Sequence, residues 1–279
     1  MFIFVVMRFL KRLFDFYIQA SIHVSFAVLA LVLMTNQMFQ KPFDLAMAGF
    51  AFFGTLFGYN FIKYEIYFRQ KLPLRKKLTP TLTLSLFALL VSAYFFFQLE
   101  FKTQTVALVF FGLTFLYTIP LFSKQTNLRN WTGIKIYIVA FCWAGVTTLL
   151  PMINFGMEFY QDILIKFSQR FLLVIVLILI FEIIDLKDDD PTLFTVPQKI
   201  GVKNTKWLGF LLLIPFYFLE FLKTSVDELQ LIVNVILVIV TATFLFFANE
   251  NRNRYYTTFW VESIPIFWLV MIIVFRQLF

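Results

Sequence analysis

The sequence predicts an all-α integral membrane protein, a bundle of about nine transmembrane helices, on three observations. Of its 279 residues 61% are hydrophobic and only 14% charged, with a mean hydropathy of +0.83, more apolar surface than a soluble domain could hide. Apolar runs of roughly 20 residues recur between short polar stretches, the length a helix needs to cross about 30 Å of hydrocarbon. Nothing alternates with period two, so barrel strands are not expected.

Taken in order, the N-terminal MFIFVVMRFLKRLFDF sets Arg8, Lys11 and Arg12 after its first apolar residues and offers no small-residue cleavage site. Residues 1–15 therefore read as an amphipathic lead-in on the membrane surface rather than a signal peptide. Spans follow near 16–35, 45–68, 80–98, 103–122, 131–150, 164–186, 205–222, 229–248 and 259–278, and the chain 1–279 reads as one transmembrane domain. With the N-terminus inside, the inner loops hold Arg69, Lys71, Arg75, Lys76, Lys77, Lys124, Arg129, Lys199, Lys203, Lys206, Arg252 and Arg254. The outer ones hold little beyond Lys41, Lys102 and Lys223. The positive-inside rule then puts the N-terminus and the end of the sixth span in the cytoplasm and the C-terminus on the opposite side, in what is expected to be a bacterial inner membrane. The net charge of +8 is accounted for by these loops and calls for no nucleic acid.

The single cysteine, Cys142, lies in an apolar run, which excludes a disulfide framework or thiolate cluster within one chain. The single histidine, His23, lies in the first span, where it either satisfies itself inside the bundle or serves a site. No Walker loop, dinucleotide fingerprint, HExxH or serine elbow is present. The 41 phenylalanines face lipid or pack between helices, and an aromatic interior also suits an unsaturated chain or a carbocation.

The stretch FEIIDLKDDDPTLFTVPQKIG gathers five carboxylates at the end of the sixth span. On a continuous helix Glu182, Asp185 and Asp189 would share one face and Asp188 would point elsewhere. Either the acids form a solvated loop or they hold something cationic. A helix ending in spaced acids, then TVPQKIG with Thr195, Pro197 and Gly201, resembles the UbiA superfamily of intramembrane prenyltransferases. YTIPLFSKQTNLRNWTG, with Tyr117, Pro120, Lys124 and Arg129, looks like that family's segment leading into a basic loop. The resemblance implies a UbiA-like bundle and transfer of an isoprenoid group from an allylic polyprenyl diphosphate to a lipophilic, aromatic-type acceptor in the membrane, with membrane lipids as the remaining partners. It further implies Mg2+ held by Glu182, Asp185 and Asp189, with Lys124, Arg129 and Lys199 on the diphosphate.

The family's other acidic motif, near the end of its second helix, is missing. In YNFIKYEIYFR, Asn60 survives, but the three aspartate positions fall on Phe61, Tyr64 and Phe68. Glu65, one position past Tyr64, is turned about 100° round the helix. The expected catalytic set there is Asn60, Lys63 and Tyr64 facing the acidic stretch, with Lys63 either holding diphosphate, pairing with the acids, or snorkelling to the interface. Two alternatives stand beside the transferase: a catalytically silent relative that binds a lipid or partner protein in the same cavity, and a transporter, which acids at one mouth rather than at mid-membrane argue against.

Overall fold

A chain in hydrocarbon must satisfy its backbone within each segment, and every apolar run does so as a helix. The computed structural model describes residues 2–69, 78–118, 133–157, 160–190 and 193–278, and among them there is no strand. The helices are α1 (Phe2–Gln19), α2 (Ile22–Met38), α3 (Leu45–Arg69), α4 (Thr79–Phe96), α5 (Phe101–Thr118), α6 (Ile134–Ala144), α7 (Leu150–Asn154), α8 (Gln161–Ile184), α9 (Val196–Phe218), α10 (Glu228–Phe247) and α11 (Ile264–Leu278). A π-helical turn, Gly145–Leu149, joins α6 to α7 as one span, and a second, Tyr256–Val261, leads into α11. Among the described residues seven stretches are long and apolar enough to cross a membrane, α1 and α2 form an eighth as a bent pair, and the apolar part of α5, Phe101–Leu116, is shorter. Each of the nine expected runs thus contains a helix.

The first run is not one rod. Ser21 takes a left-handed backbone, φ 61°, and the chain turns by 56° between α1 and α2, so the span expected over 16–35 straddles a corner. The fifth run continues past Pro151 to Asn154: Pro151 has no N–H to give, and the carbonyl four residues before it, that of Thr147, accepts the Thr35 hydroxyl at 2.6 Å instead.

α8 is the axis of the bundle: 67% of its membrane-length window is buried, and it packs against α6, α9 and α10. Leu31, Val176, Ile180, Phe216, Leu237 and Trp268 meet in the largest apolar cluster around it. Leu86, Leu90, Phe101, Leu211 and Phe246 stay exposed on the outside, as lipid-facing side chains do. Van der Waals fit between helices, more than removal from water, holds such a core.

Candidate functional site

α8 carries charge at both ends. At its C-terminal end the helix stops at Ile184, and Asp185–Lys187 tighten into a 3-10 turn. The N–H groups of Asp188 and Asp189 both bond the Asp185 carbonyl at 2.9 Å. Asp189 thus lies beyond the helix, yet it still acts electrostatically on Glu182 and on Asp185, so the three expected carboxylates stay near one another. Negative charges are unfavourable at the negative end of a helix dipole, so an acidic run is where α8 gives up. Asp185 and Asp189 are nonetheless half-buried, while Asp188 and Asp190 are exposed.

Glu182 is 3% exposed and already has partners. Its Oε2 accepts the Val196 N–H at 3.0 Å, at the positive end of α9, and its Oε1 lies 3.9 Å from Lys135 Nζ. TVPQKIG is the device that turns the chain into this contact. Gln198 Oε1 accepts the Thr195 N–H at 2.9 Å, Pro197 sits in the first turn, and Gly201, at φ 79° and ψ 158°, breaks the helix before it resumes. Only glycine adopts that conformation without strain. Lys199 is exposed on this first turn.

Asn60, Lys63 and Tyr64 share a face of α3, and the structure turns that face toward the α1–α2 corner. Asn60 Nδ2 donates to the Ala20 carbonyl at 3.0 Å, and its Oδ1 accepts the Ser21 hydroxyl at 2.8 Å. Lys63 Nζ and Tyr64 Oη donate to the Gln19 carbonyl at 2.8 and 3.4 Å. These carbonyls end α1 and have no helical donor of their own. Phe61, at the first of the lost aspartate positions, is exposed. Lys124 and Arg129 lie outside the described residues, as does Pro120.

Three charged residues that sequence reasoning passed over gather nearby. Arg254, between α10 and the second π turn, acts electrostatically on Lys63, on Tyr64 and on Asp185, and so links α3 to the acidic end. Lys135 acts on Glu182 and Asp185, and Glu262 lies within reach of Lys63. Arg254 was counted only as a loop charge, and Lys135 and Glu262 stand singly within or beside apolar runs, so no spacing marked them. His23 is satisfied inside the bundle: Tyr17 Oη donates to its Nδ1 at 2.8 Å and its Nε2 donates to the Phe259 carbonyl at 2.9 Å.

The other end of α8 holds a polar network that the sequence did not reveal. Lys166, Gln169 and Arg170, at spacings that share a helix face, are all buried. Lys166 Nζ bonds Glu220 Oε2, which Gln169 Nε2 and Asn234 Nδ2 each reach at 3.1 Å. Lys223 stands 3.2 Å from Glu220 Oε1. Arg170 Nη1 donates to the Leu31 carbonyl at 3.0 Å and to the Thr147 hydroxyl at 3.1 Å, and its guanidinium lies 5.2 Å from the centre of the Trp268 ring.

This arrangement of spans matches a solved structure of a digeranylgeranylglyceryl phosphate synthase, a membrane prenyltransferase of the UbiA superfamily, with a TM-score of 0.57 over 95% of this chain and 98% of that one, at 17% identity. The chain shares the fold of that structure. No protein-family model and no curated protein sequence matches it.

The acidic end has the chemistry to hold a cation only in part. Among the described residues no three His, Cys, Asp or Glu side chains gather closely enough to hold a metal by themselves, and Glu182 is engaged by Val196 and Lys135. Asp185 and Asp189 remain, adjacent through the 2.9 Å backbone bond and with no described cation paired to them. Two carboxylates fit Mg2+, which takes one or two carboxylates together with phosphate oxygens and water rather than an all-protein cage.

Proposed function

We propose that this protein transfers a prenyl group from an allylic isoprenoid diphosphate to a lipophilic, aromatic-type acceptor inside the membrane, at a site formed by the C-terminal end of α8. The observation that carries the reading is the charge set there: half-buried Asp185 and Asp189 without paired cations, with Lys135 and Arg254 beside them, in the fold of a membrane prenyltransferase. Asp185 and Asp189 would hold Mg2+, which when bound neutralises part of the diphosphate charge. Lys199, Lys124 and Arg129 complete the proposed phosphate contacts, and the site opens to the cytoplasmic side.

The reaction breaks the bond between the allylic carbon and the diphosphate oxygen, and the electron pair leaves with the diphosphate. The acceptor's nucleophilic atom forms the new bond to that carbon and sheds its proton. Protein cations aimed at the departing oxygens stabilise the charge as it develops. Arg254 carries its charge with no described acid paired to it, and Lys63 has two ammonium hydrogens left beyond the one on Gln19. Together they stand in for the second metal whose aspartates are replaced by Phe61, Tyr64 and Phe68. Asn60 has both ends of its amide engaged and acts as a positioning residue, holding the corner that presents Lys63. Glu182 likewise positions the acidic turn by tying it to α9.

The test is turnover by protein in nanodiscs supplied with labelled geranyl, farnesyl or geranylgeranyl diphosphate, Mg2+ and a membrane lipid extract. Prenylated lipid and free diphosphate are expected from the wild type and not from Asp185→Asn with Asp189→Asn. Donor that stays intact with every chain length, while the protein still binds it, would support the silent relative instead.

A further inference from the structure

The face of the bundle formed by α9 and α10 carries a groove that the diphosphate site does not use. Two adjoining hollows of about 300 and 350 Å³ share Phe210, Ile239 and Ala242, and together they run from Tyr217 and Val235 to Phe246 and Phe247. Small residues shape it. Gly209 lies so close to α10 that a Cβ would meet Leu245 Cδ2 at 2.5 Å, and Ala242 keeps the floor low. Ile214, Phe218, Ile239 and Phe246 are exposed along its walls, so it opens toward lipid. α10 rises about 18 Å from Val235 to Phe247, close to the roughly 15 Å of hydrocarbon in one leaflet.

Two cations stand at the Phe246–Phe247 end. Lys206 Nζ donates to the Phe246 carbonyl at 2.7 Å, and Arg252 Nε donates to the Phe247 carbonyl at 3.1 Å. Each satisfies a carbonyl at the end of α10 and still has donors free, two hydrogens on the ammonium and four on the guanidinium. No described carboxylate pairs with either. Trp207, 62% exposed beside Lys206, marks this level as the membrane interface.

We propose that the groove binds one anionic phospholipid, with an acyl chain between α9 and α10 and its phosphate on Lys206 and Arg252. A groove one leaflet long fits a single acyl chain rather than a membrane-spanning polyisoprenoid. Paired cations at its end select a headgroup of net negative charge over a zwitterionic one. The site is independent of the prenyl donor.

Native mass spectrometry of protein released from nanodiscs of equal parts phosphatidylglycerol and phosphatidylcholine tests this by counting retained lipids. The wild type is expected to keep phosphatidylglycerol preferentially. Lys206→Gln with Arg252→Gln should lower that retention by on the order of tenfold without changing retained phosphatidylcholine. Ala242→Phe, a lipid-facing change that fills the groove, should lower retention with both cations present, and excess inorganic phosphate should not displace the lipid. Unchanged phosphatidylglycerol in the double variant, or in Ala242→Phe, would overturn the proposal, as would displacement by phosphate alone.

Discussion

The two ends of α8 treat charge in opposite ways. At the N-terminal end Lys166 and Glu220 are enclosed, glutamine and asparagine donate to Glu220 Oε2, and a second lysine stands 3.2 Å from Oε1. At the C-terminal end Asp185 and Asp189 are half-buried and have no described cation paired to them, although Arg254 and Lys135 stand near. An enclosed carboxylate that faces two lysines of its own chain is architecture, because its charge is already countered within the fold. A half-buried acidic pair with no described cation paired to it is where the proposed ligand would sit.

The largest expected effect lies at the closed end. Removing one partner of a buried pair strands the other, so Glu220→Gln should destabilise the protein by about 3–5 kcal/mol, read as a fall in melting temperature in detergent. Lys166→Met combined with Glu220→Gln should recover much of that loss, since the buried lysine is gone and the side-chain carbonyl still accepts from Gln169 and Asn234. If the single change were harmless, the closed end would not be architecture and the contrast between the ends would fail.

A smaller effect is expected at the α1–α2 corner. Asn60→Ala leaves the Ala20 carbonyl and the Ser21 hydroxyl without their partner and should destabilise by about 1–3 kcal/mol, measured by the same melting. The smallest stability change belongs to Lys63→Ala, about 1 kcal/mol or less for one hydrogen bond near the surface. Its effect on diphosphate affinity, by titration calorimetry, should be clearly larger than its effect on melting. The reverse order would make Lys63 a part of the corner alone.

Composition and run length made the membrane fold legible, because hydrocarbon leaves a chain so few options. The corner at Ser21 was not legible: QASIH contains no glycine or proline, and what stabilises the left-handed serine is Asn60, 39 residues away. The acidic stretch stood out as a cluster, but the 3-10 turn that carries it was not legible, because α8 ends before Asp185 while Asp189 still acts on Glu182 and Asp185. TVPQKIG was read for its resemblance, and in the structure it explains itself as a helix start, with a glutamine reaching back to its first N–H and a glycine at the break. Lys166, Gln169 and Arg170 were in plain view at helical spacing, yet an apolar run absorbed them, because Glu220 lies 54 residues from Lys166 in sequence. Arg254 was counted as a topological charge, since its neighbours Lys63 and Asp185 come from distant spans.

The contrast between the two ends comes down to one paired experiment on Asp185→Asn and Lys166→Met with Glu220→Gln. Titration calorimetry would measure binding of farnesyl thiodiphosphate with Mg2+, and melting would be recorded alongside. Asp185→Asn is expected to abolish binding while melting like the wild type. The variant at the closed end is expected to bind the donor mimic as the wild type does. Donor binding that survives Asp185→Asn, or that is lost with the closed-end charges in a folded protein, would contradict the assignment of the ligand to the acidic end.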